Sequence, residues 1–354
     1  MKKEIGLLAL LIVLCLTVVG IDLCGQYREI SEFRKLHPDI EEFKKLHPYE
    51  QVPSLRLPRF LSPVNLANNA NLVGLYGVFS IGVGLVIITG GIDLSIGSMC
   101  ALTGTVLAMA LSEWRWPWPL AALAVIAVPM LLGWAHGWLV TRMNLQPFIV
   151  TLCGLLLYRG IARFIAGDST KGFSGAEGIE TLRYLASGKL FGVPMPFVIL
   201  IAVAVVMWFV LHRSIYGRYL LAVGRNEQAA RFSGINTRLV IASAYIIAGA
   251  LTGISGIMIA LYTNSISPSN HGNLYELYGI AAAVLGGCSL RGGEGSIIGI
   301  VIGTTLLVLL QNLVILLNIP SSLNWAVMGT VVLAGVIADQ ILKSRSERKR
   351  THLS

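Results

Sequence analysis

Apolar runs long enough to cross a bilayer follow one another through most of this chain. They lie at 5–23, 66–89, 94–112, 119–140, 148–166, 194–212, 239–262, 276–290, 296–317 and 322–342. A spanning helix needs roughly 20 mainly apolar residues, so about ten spans are predicted. The chain is 55% hydrophobic and only 13% charged over 354 residues, with mean hydropathy +0.73. A water-soluble fold could not hide that much apolar surface, so the bilayer must be most of the solvent. The expected fold class is all-α, a polytopic membrane helix bundle. The 276–290 run is short and rich in glycine, which predicts a broken or re-entrant helix; an eight-span arrangement stays open.

Charge orients the bundle. Lys2 and Lys3 precede the first run and no A-x-A-like cleavage site follows it. Residues 1–25 are therefore expected to be an uncleaved first helix with its N-terminus inside. Residues 26–63 break the apolar pattern and are expected to form an external charged insert. Within it Glu32-Phe33-Arg34-Lys35-Leu36-His37-Pro38 is echoed by Glu42-Phe43-Lys44-Lys45-Leu46-His47-Pro48. Each unit ends in a helix-breaking proline. The two histidines alone do not make a metal site, and a solvated loop is the expectation there. The transmembrane core is expected to span 64–342, and a basic tail of 343–354 is expected in the cytoplasm with the N-terminus. The 26–63 insert apart, Lys and Arg gather in the loops on the N-terminal side, and the short loops 263–275 and 318–321 carry none. The net charge of +9 is thus a topology signal rather than a sign of nucleic-acid binding. The five cysteines show no metal-ligand spacing and are expected to be small buried hydrophobes.

The stretch Gly90-Gly91-Ile92-Asp93-Leu94-Ser95-Ile96-Gly97-Ser98 joins two apolar runs. Its glycines allow a turn with φ > 0. Asp93 or Ser95 is placed to cap the following helix. An acid among apolar segments also needs a partner or a wet cavity nearby. Arg159 and Arg163 fall near the outer end of the fifth run, where snorkelling to the headgroups is expected. His136, between Trp134 and Trp138, is expected to make an interhelical hydrogen bond. In the long inner loop 213–238, Asn226 can cap a short helix, Glu227 suits its first turn and Gly234 can end it. Ala229, Ala230 and Ser233 would give that helix a small-residue face able to seat in another protein's groove; a helix lying on lipid is the competing reading.

These stretches carry a resemblance. The segment 90–98 closely resembles the G-G-I-D-L-S-x-G-S signature of sugar-type permease subunits of bacterial ABC importers, the ribose, galactose and xylose group. Glu276-Leu277, Ile280-Ala281-Ala282 and 285–296 are similar to that family's E-L-x-x-I-A-A-x-x-x-G-G-x-S-L-x-G-G-x-G pattern. Tyr278 stands where the family often has Asp. Tyr158-Arg159-Gly160 and the inner-loop order Ala-Ala-x-x-x-Gly also resemble it. The resemblance implies the type II importer architecture, in the inner membrane, with two permease copies or a paralogue. It implies a cytoplasmic ABC ATPase subunit, an external or periplasmic sugar-binding protein and alternating access. It places Asp93, Ser95, Arg159 and Glu276 on the substrate path, and Gly224, Asn226, Glu227, Ala229, Ala230, Arg231 and Gly234 at the ATPase.

No G-x-x-x-x-G-K-[ST] loop and no catalytic motif occurs, so no cofactor, metal or catalytic residue is expected in this chain, ATP being bound by the partner subunit. Cargo other than sugar stays open: an autoinducer, a nucleoside or a branched-chain amino acid. So does an ion-coupled secondary transporter, although mid-span acids are scarce.

Overall fold

The computed structural model describes residues 2–323 apart from 48, 50, 51, 177 and 318, together with 326–330, 333 and 337. The expected basic tail and most of the last apolar run lie outside the described residues.

Between residues 2 and 323, the described residues form in order α1 (Lys2–Leu36), α2 (Ile40–Leu46), α3 (Pro63–Ile88), α4 (Ile96–Ser112), α5 (Trp118–Arg142), α6 (Pro147–Ala166), α7 (Ile179–Ser187), α8 (Met195–Trp208), α9 (Ile215–Arg225), α10 (Glu227–Phe232), α11 (Thr237–Thr263), α12 (Tyr275–Leu285) and α13 (Ile297–Leu316). A wider π turn, Phe209–Arg213, continues α8. Among the described residues, seven helices are long and apolar enough to cross a membrane, and the shorter α4 and α12 are apolar as well. The runs 66–89, 94–112, 119–140, 148–166, 194–212, 239–262 and 296–317 are helical almost to the residues expected, whereas the helix of the 276–290 run ends at Leu285. Two two-residue ribbons, Lys171–Gly172 with Ser265–Ile266 and Lys189–Leu190 with Val193–Pro194, tie down outer loops.

The first helix departs from expectation. It runs past residue 25 to Leu36, so the insert begins as a continuous helical extension rather than a loop. Asp39 then caps α2 by accepting from the amides of Glu41 and Glu42. The two halves of the duplication fold against each other, Phe33 meeting Phe43 edge-on at 5.1 Å between ring centroids. Asp22 and Gln26, one turn apart on α1, accept from the backbone amides of Arg59 and Arg56 and strap the returning chain to the helix.

Two helices form the centre. Almost the whole of α3 and most of α11 are buried, while α1 is nearly bare within this chain. Between lipid-facing helices no hydrophobic effect drives association, so close van der Waals approach must. The α5–α11 contact shows this. Gly133 and Gly137, one turn apart on α5, press on the backbone of Tyr245 and Ala242, and Gly249 and Gly253 on α11 press back on Pro129 and Ile126. A hydrogen bond from Ser255 Oγ to the carbonyl of Leu75 (3.1 Å) locks α11 to α3.

Candidate functional site: a buried polar centre above a glycine junction

The re-entry turn after α3 is built by its glycines. Gly90 has φ +86°, and its amide donates to Ile87 O (2.9 Å) while that of Gly91 donates to Val86 O (3.1 Å). The chain then runs non-helically to Ile96. Asp93, 2% exposed, sits in this stretch, and its Oδ1 accepts from the amide (2.8 Å) and hydroxyl (2.6 Å) of Ser95.

This differs from the cap expected of Asp93 or Ser95. Ser95 already has helical backbone angles and makes no side-chain cap bond; its hydroxyl donates to Asp93. The open amides of α4 meet an acid from elsewhere instead. Glu276, in the first turn of α12, lies against Gly97 and engages its backbone N–H. A carboxylate at a helix N-terminus is favoured by the helix dipole. The acid supplied in trans was not visible in the sequence, since 179 residues separate the partners.

Three further polar side chains stand around Asp93. His136 on α5, Tyr158 on α6 and Tyr245 on α11 are all within electrostatic reach of it. The Tyr158 hydroxyl pairs with His136 Nε2 at 2.7 Å, the interhelical bond expected of that histidine. Thr151 Oγ1 donates to Ile92 O at 3.0 Å and holds α6 to the turn. Arg159 does not snorkel: its guanidinium turns inward to the carbonyls of Pro268 and His271 and lies within reach of Glu276. Arg163, one turn on, is exposed and pairs with Asp168 at 2.6 Å, the hydrogen bond holding that carboxyl below its ordinary range. The structure thus brings Asp93, Ser95, Arg159 and Glu276 together around the start of α4. At 11 residues α12 is only about 16 Å long, near half the hydrocarbon core and too short to span it alone.

Below it, all three sequence stretches meet on glycines. The amide of Gly293 donates to Ile88 O at 2.8 Å. A Cβ at Gly224, the second-last residue of α9, would run into the Ile88 carbonyl and the Gly293 amide; one at Gly292 would strike Gly224 and Gly90. Gly224 therefore packs closely inside this chain. Its neighbours Leu220 and Val223 are buried, which seats α9 on the bundle.

α10 follows with the capping expected. Asn226 Oδ1 accepts from Ala229 N at 2.9 Å, Glu227 lies in the first turn, and Gly234 has φ +84° just beyond the end. The small-residue face is split, however. Ala230 is buried against the chain's own core, while Ala229, Arg231 and Ser233 are exposed. Phe232, which sequence reasoning missed, is 91% exposed. Cys100 and Cys288 are buried as expected, but Cys24 and Cys153 are exposed, since each points off the bundle.

An all-helical bundle with short apolar helices re-entering on glycine turns around buried ionisable groups defines a membrane transport permease. The chain belongs to the branched-chain amino acid transport system / permease component family, which matches residues 65–336. It is 36% identical to the ribose import permease protein RbsC of Escherichia coli K12 over 80% of this chain and 87% of that protein. It is 32% identical to the galactofuranose transporter permease protein YtfT of the same strain over 78% and 79%. Against the fructose import permease protein FruF of Bifidobacterium longum the identity is 33% over 73% and 72%. No solved structure matches it.

Proposed function

We propose that this chain is the membrane permease of an ATP-driven sugar importer. It works as one of two permease copies or paralogues in the inner membrane, with both termini cytoplasmic. A cytoplasmic ABC ATPase drives it and an external sugar-binding protein loads it. Relatives named for ribose, galactofuranose and fructose import support a monosaccharide cargo.

The observation that carries the coupling is the glycine junction. α10 presents Arg231 and the exposed ring of Phe232 away from the bundle, and α9 carries it rigidly to Gly224. From there motion passes, backbone against backbone, to the turns that begin α4 and α13. Nothing at Gly224, Gly292 or Gly293 can flex like a long side chain, so a pull on α10 moves both turns together. Access then alternates as the half-helices tilt around the Asp93–Glu276 centre. An exposed aromatic beside an arginine is also the composition of an interface hot spot.

The test is uptake and ATP hydrolysis by the whole complex in proteoliposomes. Phe232→Ala should leave the permease folded and inserted. It should lower sugar-stimulated ATP hydrolysis roughly 10-fold, the usual loss for a hot-spot truncation. Unchanged uptake and hydrolysis in Phe232→Ala would remove α10 as the coupling element.

A further inference from the structure

A second group of polar side chains lies apart from the Asp93 centre, where α12 crosses α3 and α13. Tyr76 and Ser80, one turn apart on α3, Tyr278 on α12, and Thr304 and Gln311, two turns apart on α13, all face one cleft. The apolar part of its wall is Ala282, Leu307 and Val308. Of the polar side chains of α13, Thr305 bonds back to Val301 O and Asn312 pairs with Asn65 of α3, while Thr304 and Gln311 line this cleft. Polar groups placed so within a bundle mark a wet or substrate-bearing route.

The cleft carries the two features that recognise a neutral polyol: aromatic faces for the C–H side of a sugar ring, and hydroxyl and amide groups for its oxygens. Tyr76 and Tyr278 lie nearly parallel, 5.8 Å between centroids at 16°. Tyr275 continues the cluster, edge-on to Tyr76 at 5.4 Å and parallel to Phe79 at 5.8 Å. Their polar ends lie close to one another, Tyr76 beside Tyr275 and Tyr278 beside Gln311, whose Nε2 also reaches Met328 Sδ at 3.5 Å. In this conformation the cleft is closed to about 10 Å³, the room of a single water. A sugar can enter only when α12 moves off α3. The polar groups that close the cleft are then free to bond to sugar hydroxyls.

We propose that this three-helix cleft is the permease's own sugar subsite, with Tyr76 and Tyr278 as the ring-stacking platform and Gln311 as the hydroxyl-reading group. The inference rests on the sugar-import reading above and goes further by naming where the cargo is held within the bundle. Because the groups pair with each other when empty, the subsite holds sugar weakly, which a path needs if cargo is to leave.

The experiment is uptake of radiolabelled D-ribose, D-galactose and D-fructose by proteoliposomes. They carry the complete complex with its own ATPase and binding protein, normalised to permease in the membrane. Tyr278→Ala should lower uptake about 10-fold or more, as loss of a ring contact and a hydrogen bond predicts. The near-isosteric Gln311→Leu and Tyr278→Phe should each lower it about 2- to 10-fold, the scale of one hydrogen bond. Both should also change the ratio of uptake rates between sugars, while ATP hydrolysis stimulated by the loaded binding protein persists. A merely structural role would lower all sugars in proportion and lower hydrolysis with them; that result, or wild-type uptake by all three variants, overturns the subsite. If the wild-type complex moves none of the three sugars, the sugar-import reading itself has failed, and the subsite falls with it.

Discussion

The chain turns back into the bundle twice, after α3 and after α12, and the two turns are built alike to a point. In each, a glycine with positive φ ends the incoming helix: Gly90 at +86° and Gly287 at +90°. Each donates its amide to the carbonyl three residues back, and the next residue donates five residues back, 2.9 and 3.1 Å in the first turn and 2.9 Å for both in the second. Each turn ends on a serine, Ser95 or Ser296, that precedes the outgoing helix. There the likeness stops. Ser296 caps its own helix by accepting from Gly299 N, and Arg291 and Glu294 before it are exposed. Ser95 gives its hydroxyl to a buried acid, and its helix is met by Glu276 from the other unit. One turn caps its own outgoing helix and packs on α9 and on the first turn; the other is completed by four neighbouring helices. The lesson is that the same backbone device makes a hinge surface in one place and a polar centre in the other, and the difference is what surrounds it.

The largest effect is expected where both turns lean on one residue. Gly224→Val would drive side-chain carbon into the Ile88 carbonyl and the Gly293 amide, neither of which can move without moving a turn. The cost should reach or exceed the roughly 1–3 kcal/mol typical of overpacking. Recovery of folded protein in detergent should collapse. By contrast Gly234→Ala meets no neighbour, and only its φ of +84° is strained, at about 1–2 kcal/mol. Equal recovery of the two variants would show that the junction is not rigid.

Next comes the acid that distinguishes the first turn. Asp93→Ala leaves the buried amide and hydroxyl of Ser95 without their acceptor. A buried donor left without its acceptor costs about 1–3 kcal/mol, so a clear fall in thermal midpoint is expected, together with loss of uptake. A folded variant with wild-type uptake would remove Asp93 from both roles.

How much of this was legible follows from the range over which each feature acts. Helix extents, the glycine turns and the Asn226 cap depend on residues a few positions apart, and the sequence showed them. Three matters depend on what packs from afar. Ala230 looked like part of an outward face, yet the bundle buries it, because the tilt of a six-residue helix is set by α9 and not by its own pattern. Arg159 looked like a snorkelling cation, yet a loop more than a hundred residues away supplies carbonyls for it. Tyr245 gave no local signal at all; only the fold sets it beside Gly91 and Asp93. The helical continuation of α1 was missed because charged residues end an apolar run without ending a helix.

Ser95→Ala removes one bond from the same centre. The hydroxyl is fully buried and donates over 2.6 Å to a carboxylate. The amide of residue 95 still reaches Asp93, so the loss should be smaller than for Asp93→Ala, about 1–2 kcal/mol. The two substitutions share this bond. The double variant should therefore be less destabilised than the sum of the singles, and strict additivity would mean that the bond contributes nothing.

The smallest effect is expected at the matching serine. Ser296→Ala deletes the cap of α13, but the bond to Gly299 N is long at 3.4 Å, and Ser296 is not fully buried. A hydrogen bond near that length is weak, and water can take its place at a partly open helix end. The cost should therefore fall at the bottom of the range for cap removal, about 0.5 kcal/mol. Transport should persist, since the turn's shape is held by Gly287, by the Ser289 amide donating to Glu294 O at 3.1 Å, and by the Gly293–Ile88 bond. The measurement is the shift in thermal midpoint of Ser95→Ala against that of Ser296→Ala, in the same detergent. Both replace a serine that precedes the outgoing helix, but only Ser296 caps its helix. The comparison therefore sets the buried Asp93 bond of Ser95 against the cap of Ser296. A larger shift for Ser95→Ala confirms that surroundings, not the turn itself, make the first unit the polar centre. Equal shifts would mean that the two turns are energetically alike, and that the Asp93 cluster adds nothing the second turn lacks.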